Sequence, residues 1–410
     1  MEKFDLIVIG GGAAGFMTAI TAAENGAKRI KILEATNRTL EKVRISGGGR
    51  CNLTNASWIP NELVDNYPRG GKKLLESLSR FATGDVYEWF ENKGLKLKIE
   101  NDNRVFPISD SSIDVVNCLK KEAEKAGIQI EHKNFIKKIK KESSSFFKVF
   151  VNEADFLIAE KVMISTGGNQ SGYKLAQSLG HKIVKPVPSI FALHSKDSGL
   201  EECSGVSIKN VSLRLMVKDK IFENKGDLLI THKGFSGPSV LKLSSIAARE
   251  LSIEKYKSLL NIKWSNLNQE ELLEKIDLLR KNNGKSTLNN VRPVPDLTRR
   301  LWLFLLNKID ICAEKKWANI IASERDKIVE VLLGEEYIIT GKGPTGEEFV
   351  TAGGVDTNEV NFKTMESLIS SGLYFSGEIL NVDGITGGFN FQHCWTSGWL
   401  AGKAISEDFK

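Results

Sequence analysis

The stretch Phe4-Asp5-Leu6-Ile7-Val8-Ile9-Gly10-Gly11-Gly12-Ala13-Ala14-Gly15, continued through Ile32-Leu33-Glu34, decides the fold of this 410-residue chain. Leu6 to Ile9 is an unbroken run of apolar strand formers, the pattern of a strand buried on both faces. Gly10-x-Gly12-x-x-Gly15 follows at once. In such a turn the first glycine permits the bend, the second lets backbone approach a pyrophosphate, and the third lets helix and sheet pack closely. The alanine-rich run from Ala13 to Asn25 predicts a helix, with Gly26 as its C-terminal stop. Lys31-Ile32-Leu33 resumes as strand and ends on Glu34, nineteen residues after Gly15. A carboxylate there accepts hydrogen bonds from ribose hydroxyls and repels a 2′-phosphate. Preceding strand, following helix, second strand and terminal acid together raise a common glycine turn to a dinucleotide site. FAD and NAD suit it equally.

The totals bound the rest. A chain this long predicts two or three domains. Apolar residues at 41% and charged residues at 26% are those of a soluble globular protein. No apolar run reaches membrane-spanning length, and the strand-like start leaves no room for a signal peptide. Cys51, Cys118, Cys203, Cys312 and Cys394 are scattered without a Cys-x-x-Cys pair. That argues for a reducing compartment, so a cytoplasmic protein is expected. His132, His181, His194, His232 and His393 form no metal-ligand pattern, and no metal is expected. The net charge is +6, much of it in runs such as Lys137-Lys138-Ile139-Lys140-Lys141. Without aromatic or arginine interleaving that run reads as a solvated surface, so nucleic acid is not an expected partner.

Further along, Val43-Arg44-Ile45-Ser46-Gly47-Gly48-Gly49-Arg50-Cys51-Asn52-Leu53-Thr54-Asn55 offers free backbone N–H groups, a fixed charge and short polar side chains. It reads as a ligand loop, with a flexible surface loop as the alternative. Cys51 reads as a packing residue. Helical spacing covers Lys72 to Asn92, and Asp110-Ser111-Ser112 caps a helix to about Lys125. Residues 128–163 read as short strands with a β-meander. Lys161-Val162-Met163-Ile164-Ser165-Thr166-Gly167-Gly168 is a second buried strand ending in a glycine turn, where a doubly wound sheet meets its ligand crevice. Pro186-Val187-Pro188 looks like a boundary. Strand-like pieces follow, with Thr231-His232-Lys233-Gly234-Phe235-Ser236-Gly237-Pro238 opening a helix. A leucine-rich helical stretch then has Trp302, Phe304 and Trp317 as its expected core. Strand and glycine return from Phe349 to Val355 and at Leu373-Tyr374-Phe375-Ser376-Gly377-Glu378. Asn381-Val382-Asp383-Gly384, then Gly387-Gly388-Phe389-Asn390-Phe391-Gln392, lead into a last helix to about Ile405. Its free N-terminus would stabilise negative charge.

The order of these motifs resembles the two-stretch FAD fold of the glutathione-reductase type. More narrowly, Ile45 to Asn55, Thr231 to Pro238, Thr351-Ala352-Gly353-Gly354-Val355 and Gly384 to Gln392 resemble the bacterial BaiN/YhiN-like flavoprotein family, whose members are often labelled aminoacetone-oxidase-family or NAD(P)/FAD-dependent oxidoreductases. The resemblance covers nearly the whole chain. It implies a Rossmann-like α/β FAD domain with an inserted β-barrel-like domain and a small helical domain. The segments would be 1–188, 189–264, 265–335, 336–350 and 351–410, the first and last forming the FAD domain. Gly10, Gly12 and Gly15, with Ala13 and Ala14, would hold the pyrophosphate, and Glu34 with Ala35 the adenosine ribose. Gly48, Gly49, Arg50 and Cys51 would lie near the cofactor. Thr166, Gly167 and Gly168 would pass the adenine half, with Gly377 and Glu378 also at the cofactor. Asp383 would bind a ribityl or phosphate-side hydroxyl. Gly388, Phe389, Asn390 and Gln392 would face the flavin pyrimidine ring.

In that reading the flavin carries a hydride from a donor to a small organic acceptor, an enone-type double bond being one candidate. No second strand–glycine turn–helix unit is visible, so NADH or NADPH would dock transiently. His232 and His393 are the candidate acid–base residues, though spacing supplies neither with a partner. Three other readings stay open: a flavin-dependent oxidase, an RNA-modifying flavoenzyme using the lysine surface, and a non-catalytic flavin-binding sensor.

Overall fold

Phe4 through Ile9 are all buried, which places the N-terminal strand Lys3–Ile9 inside a sheet covered on both faces. In the computed structural model, which describes residues 2–142, 146–153, 155–197, 199–343 and 350–409, this strand pairs in parallel with Ile30–Leu33 on one side and Phe156–Ile164 on the other. The sheet runs Val360–Asn361, Glu366–Ser367, Leu373–Phe375, Phe156–Ile164, Lys3–Ile9, Ile30–Leu33, Gln129–Glu131. The antiparallel strands Lys138–Lys141 and Phe147–Phe150 extend from Phe156–Ile164 as a meander. Helix Ala13–Glu24 packs on the C-terminal helix Phe389–Ser406 through two small residues of the latter. A Cβ on Gly398 would stand 2.7 Å from the Ala14 carbonyl oxygen, and one on Gly402 2.6 Å from Thr21 Cβ. Glycine at both places lets the helices touch along their backbones, bringing the first and last stretches of the chain together.

The chain divides into two units, Met1–Val187 with Val350–Lys410, and Pro188–Phe349. The second unit holds a closed antiparallel barrel in the order Leu193–Ser195, Gly234–Ser236, Lys220–Thr231, Ser207–Val217, Ser258–Lys263, Glu335–Lys342. Helices Gln269–Asn282, Arg299–Lys308 and Ala322–Leu333 belong to the same unit. Asn268 and Thr298 cap the first two by accepting from Glu271 N and Leu301 N. One apolar cluster runs from Phe191 through Trp302, Phe304 and Trp317 to Ile339, so barrel and helices share a core. The expected mixed α/β class is present, with its barrel and helical insertion.

One local expectation changes. The glycine stretch is not an open loop throughout, because a helix covers Glu41–Gly49 and breaks at Ser46–Gly48. Gly47, Gly48 and Gly49 all take positive φ, a run that only glycine adopts without strain. Pro186 and Pro188, read as a boundary, lie within the strand Ile183–Ser189, and the two units divide after Val187. Among the described residues that strand pairs with Val350–Val355 alone, in a two-stranded ribbon where a missing N–H is tolerated. Residues 344–349, part of the expected return segment 336–350 and including Phe349, lie outside the described residues.

Candidate cofactor groove

The three motif glycines differ in what surrounds them. A Cβ on Gly10 would lie 2.6 Å from the Ser165 carbonyl oxygen, and one on Gly15 only 2.2 Å from the Gly10 oxygen. Both are glycine because strand, turn and helix are packed against them. A Cβ on Gly12 would meet nothing within 4 Å, and the same holds at Gly48 and Gly49. Those three border open space into which a ligand could press. No side chain caps the helix that begins at Ala13, so its first N–H groups remain for an anion.

Glu34, half-buried at the end of its strand, accepts from Gly11 N at 2.9 Å and from Thr36 N at 2.8 Å. Two backbone donors fix the carboxylate and leave lone pairs for a diol. Ala35 beside it is exposed. Across the turn, a Cβ on Gly377 would crowd Ala14 Cβ at 2.9 Å and Cys394 Sγ at 3.1 Å. Glu378 accepts from Thr351 N at 2.9 Å, and its other oxygen meets Lys42 Nζ at 2.6 Å. Gly167 and Gly168 lie against the same carboxylate. Among the described residues, the Thr39 and Thr166 hydroxyls are buried without a protein partner. Open glycine backbone, an uncapped helix start, a fixed carboxylate and two orphaned hydroxyls fit an extended FAD.

The C-terminal stretch is more occupied than expected. Gly387 and Gly388 have φ of +130° and +98°, and a Cβ on Gly388 would strike the Thr54 oxygen at 2.4 Å. Asn390 closes the turn on itself, accepting from Gly384 N and donating to Gly384 O, each at 2.9 Å. Gln392 is fully buried, accepts from the Thr54 hydroxyl at 2.5 Å and donates to Thr396 at 2.9 Å. Its side chain ties the loop to the helix. Asp383 is also fully buried, with Arg69 Nε donating to it at 2.5 Å and Arg69 Nη2 closing the pair. The Phe389 carbonyl accepts from the Tyr67 hydroxyl at 2.7 Å.

Arg50 donates to Asp110 at 2.8 Å, also pairs with Glu100, and lies 4.0 Å over the Phe106 ring. Its charge is spent on those acids. Cys51 is buried at φ +58°, and burial pushes its thiol up to about 12, so it stays protonated. Burial pushes His393 down to about 4, opposed by its contact with the Gly377 carbonyl at 3.2 Å. It is neutral at pH 7, and its Nδ1 has no partner. His232 belongs to the other unit, exposed, with Nδ1 3.2 Å from Ser204 Oγ. Lys42, Arg69 and Tyr67 carried no motif signal, because each acts on a residue more than 300 positions away. No metal-holding group of three or more His, Cys, Asp or Glu exists among the described residues, and none of their helices is long and apolar enough to cross a membrane.

The profile of the family described as the HI0933-like protein Rossmann domain matches residues 4–404. This chain belongs to that family of FAD-dependent oxidoreductases. A ribosomal RNA dihydrouridine synthase of Haemophilus influenzae is 29% identical over 415 residues, 98% of both chains. A 3-dehydro-bile acid delta(4,6)-reductase of Clostridium scindens is 28% identical over 419 residues, again 98% of both. Among solved structures, the open conformation of a flavocytochrome c3 fumarate reductase has a TM-score of 0.51 at 16% identity, covering 99% of this chain and 78% of that one. It shares the fold.

Proposed function

We propose that this protein uses FAD to pass a hydride from NADH or NADPH to a carbon–carbon double bond conjugated with a carbonyl. The observation that carries this reading is the chemistry common to two relatives of equal distance. Making dihydrouridine saturates a pyrimidine double bond beside a carbonyl, and a 3-oxo delta(4,6) bile acid presents a conjugated double bond. The acceptor carriers differ, one a base in RNA and the other a small molecule, but the reacting group is alike. Bound FAD would supply a ring that takes up two electrons as a hydride and hands them on.

The chain's own residues bind and orient. Gly12 would leave room for the pyrophosphate, the uncapped helix start at Ala13 would meet its charge, and Glu34 would orient the ribose. The uncapped helix start at Phe389, held by Asn390 and Gly388, would favour negative charge on a flavin ring placed beside it. His393 is engaged with the Gly377 carbonyl, and burial disfavours its imidazolium form, so as a proton donor it would act from the neutral ring.

The test is anaerobic mixing of the yellow protein with NADH or NADPH, followed by an enone or a uridine-containing RNA. Loss of the flavin band (at roughly 450 nm) and its return on adding the acceptor is the expected result. Return only with oxygen would favour the oxidase reading. No loss with either nicotinamide would overturn the donor assignment.

A further inference from the structure

The lysine run that looked bare of aromatic neighbours in sequence acquires them through strand register. In the meander, Lys138 stands opposite Phe150, and Phe150 opposite Phe156. One pair along, Lys140 faces Lys148, and Lys148 faces Ile158. Directly opposed residues share a face, so two rows are formed on it: cation, ring, ring, and cation, cation, aliphatic. The inward face is separate, since Ile139, Phe147 and Val149 are buried. Lys138 Nζ lies 4.9 Å from the Phe150 ring centre and Lys148 Nζ 4.8 Å from that of Phe156. The two rings are 5.5 Å apart.

Lys140 opposite Lys148 places like charges face to face, an arrangement that destabilises a sheet. Among the described residues of this face, Glu142, 3.3 Å from Lys148, offsets it. Residues 133–148 carry six lysines against that one acid. Glu153 and Asp155 in the following turn bound the basic face, as does Glu160, which holds Lys3. Lysines on an edge strand also deter edge pairing, but that purpose does not call for rings on the next two strands. Rings flanked by ammonium groups are the parts of a surface on which bases stack and phosphates pair.

We propose that the outer face of this meander docks single-stranded RNA, with Phe150 and Phe156 stacking bases and Lys138, Lys140 and Lys148 pairing phosphates. The proposal rests on the RNA arm of the function proposed above. Phe156 lies about 26 Å along its strand from Ile164, which leads into the groove, at roughly 3.3 Å per residue. The face is therefore an anchoring surface, separate from the reacting centre.

The test uses the full FAD-loaded chain and a fluorescein-labelled 20-nucleotide oligouridylate, followed by anisotropy between about 50 and 200 mM salt. Lys138→Gln/Lys140→Gln/Lys148→Gln should weaken binding roughly tenfold or more and reduce the salt slope by about two, as expected for three lost phosphate contacts. Phe150→Leu should weaken it about tenfold. The control Lys120→Gln/Lys121→Gln/Lys281→Gln removes equal charge from exposed helical positions and should leave affinity within about twofold. Equal losses in the control, or none in the meander triple, would overturn the assignment. So would displacement by polyglutamate at matched charge with no effect of Phe150→Leu, which would mark an acidic-protein surface. Nicotinamide-driven bleaching of the same samples reports separately on the redox reading, which can fail while RNA binding holds.

Discussion

Lys42 Nζ lies 2.6 Å from Glu378 Oε2, joining residues 336 positions apart beside the glycine turn. The other Glu378 oxygen is held by Thr351 N. Three separate stretches thus meet at one carboxylate that borders Gly167 and Gly168. The lysine offsets a negative charge placed where a pyrophosphate would also be negative. Lys42→Met should weaken FAD binding about fivefold, the equivalent of ~1 kcal/mol for an exposed pair. The effect should shrink as salt rises, and fluorescence titration of apoprotein with FAD measures both. Unchanged affinity at low salt would remove Lys42 from the cofactor's surroundings.

Gly12 and Gly15 should separate binding from folding. Gly12→Val has room for its side chain in the protein alone, so the melting temperature should stay within a few degrees while FAD is lost. Gly15→Ala forces a Cβ against the Gly10 carbonyl and should cost about 1–3 kcal/mol whether or not FAD is present. Thermal denaturation of apoprotein alongside visible spectra of the purified variants checks both. A fully yellow Gly12→Val protein would disprove the pyrophosphate assignment.

His393 makes stability depend on pH in a defined direction. Above about 6.5 the imidazole is neutral in folded and unfolded chains alike. Between about 6.5 and 4 the unfolded chain takes a proton that the fold refuses, so stability falls as pH falls. Over that window the loss from this group is up to about 3 kcal/mol. Burial also holds His181 below its ordinary value, against the pull of Glu359, so it acts in the same direction. His393→Gln should flatten the melting-temperature profile across this range without abolishing it. A profile as steep as wild type would show that His393 titrates normally.

Gln392 should matter to the fold more than to the chemistry. Gln392→Met leaves the buried Thr54 hydroxyl without its acceptor, while Thr396 keeps the Phe81 carbonyl, and should destabilise by about 1–3 kcal/mol. The flavin band of the loaded variant should keep its position. A displaced band with unchanged stability would return Gln392 to the ring-facing role expected from sequence.

What was legible in the chain was local. The turn from Gly10 to Gly15 and the strand before it are spelled out by neighbours in sequence, because a buried parallel strand and a glycine turn each have a short-range composition. The C-terminal helix was equally readable from Gly388 onward. The occupation of Asp383 by Arg69 and of Gln392 by Thr54 was not, since each pair joins distant segments whose residues have no pattern of their own. The helical start of the glycine stretch was hidden by the glycines that end it. Lys138 and Phe150 lie twelve residues apart in sequence, and only antiparallel register sets them side by side.

The ribbon of Ile183–Ser189 and Val350–Val355 has an engineering consequence. Because the chain leaves and re-enters the Rossmann unit through paired strands, the segments flanking the insertion are neighbours, a Cβ on Gly353 standing 2.6 Å from the Lys185 carbonyl oxygen. The insertion is therefore a cassette: a short glycine–serine bridge between Val187 and Val350 can replace it without stretching the strands it joins. Joining nearby ends with a shorter loop lowers closure entropy, so the excised Rossmann unit should fold by itself and keep its FAD.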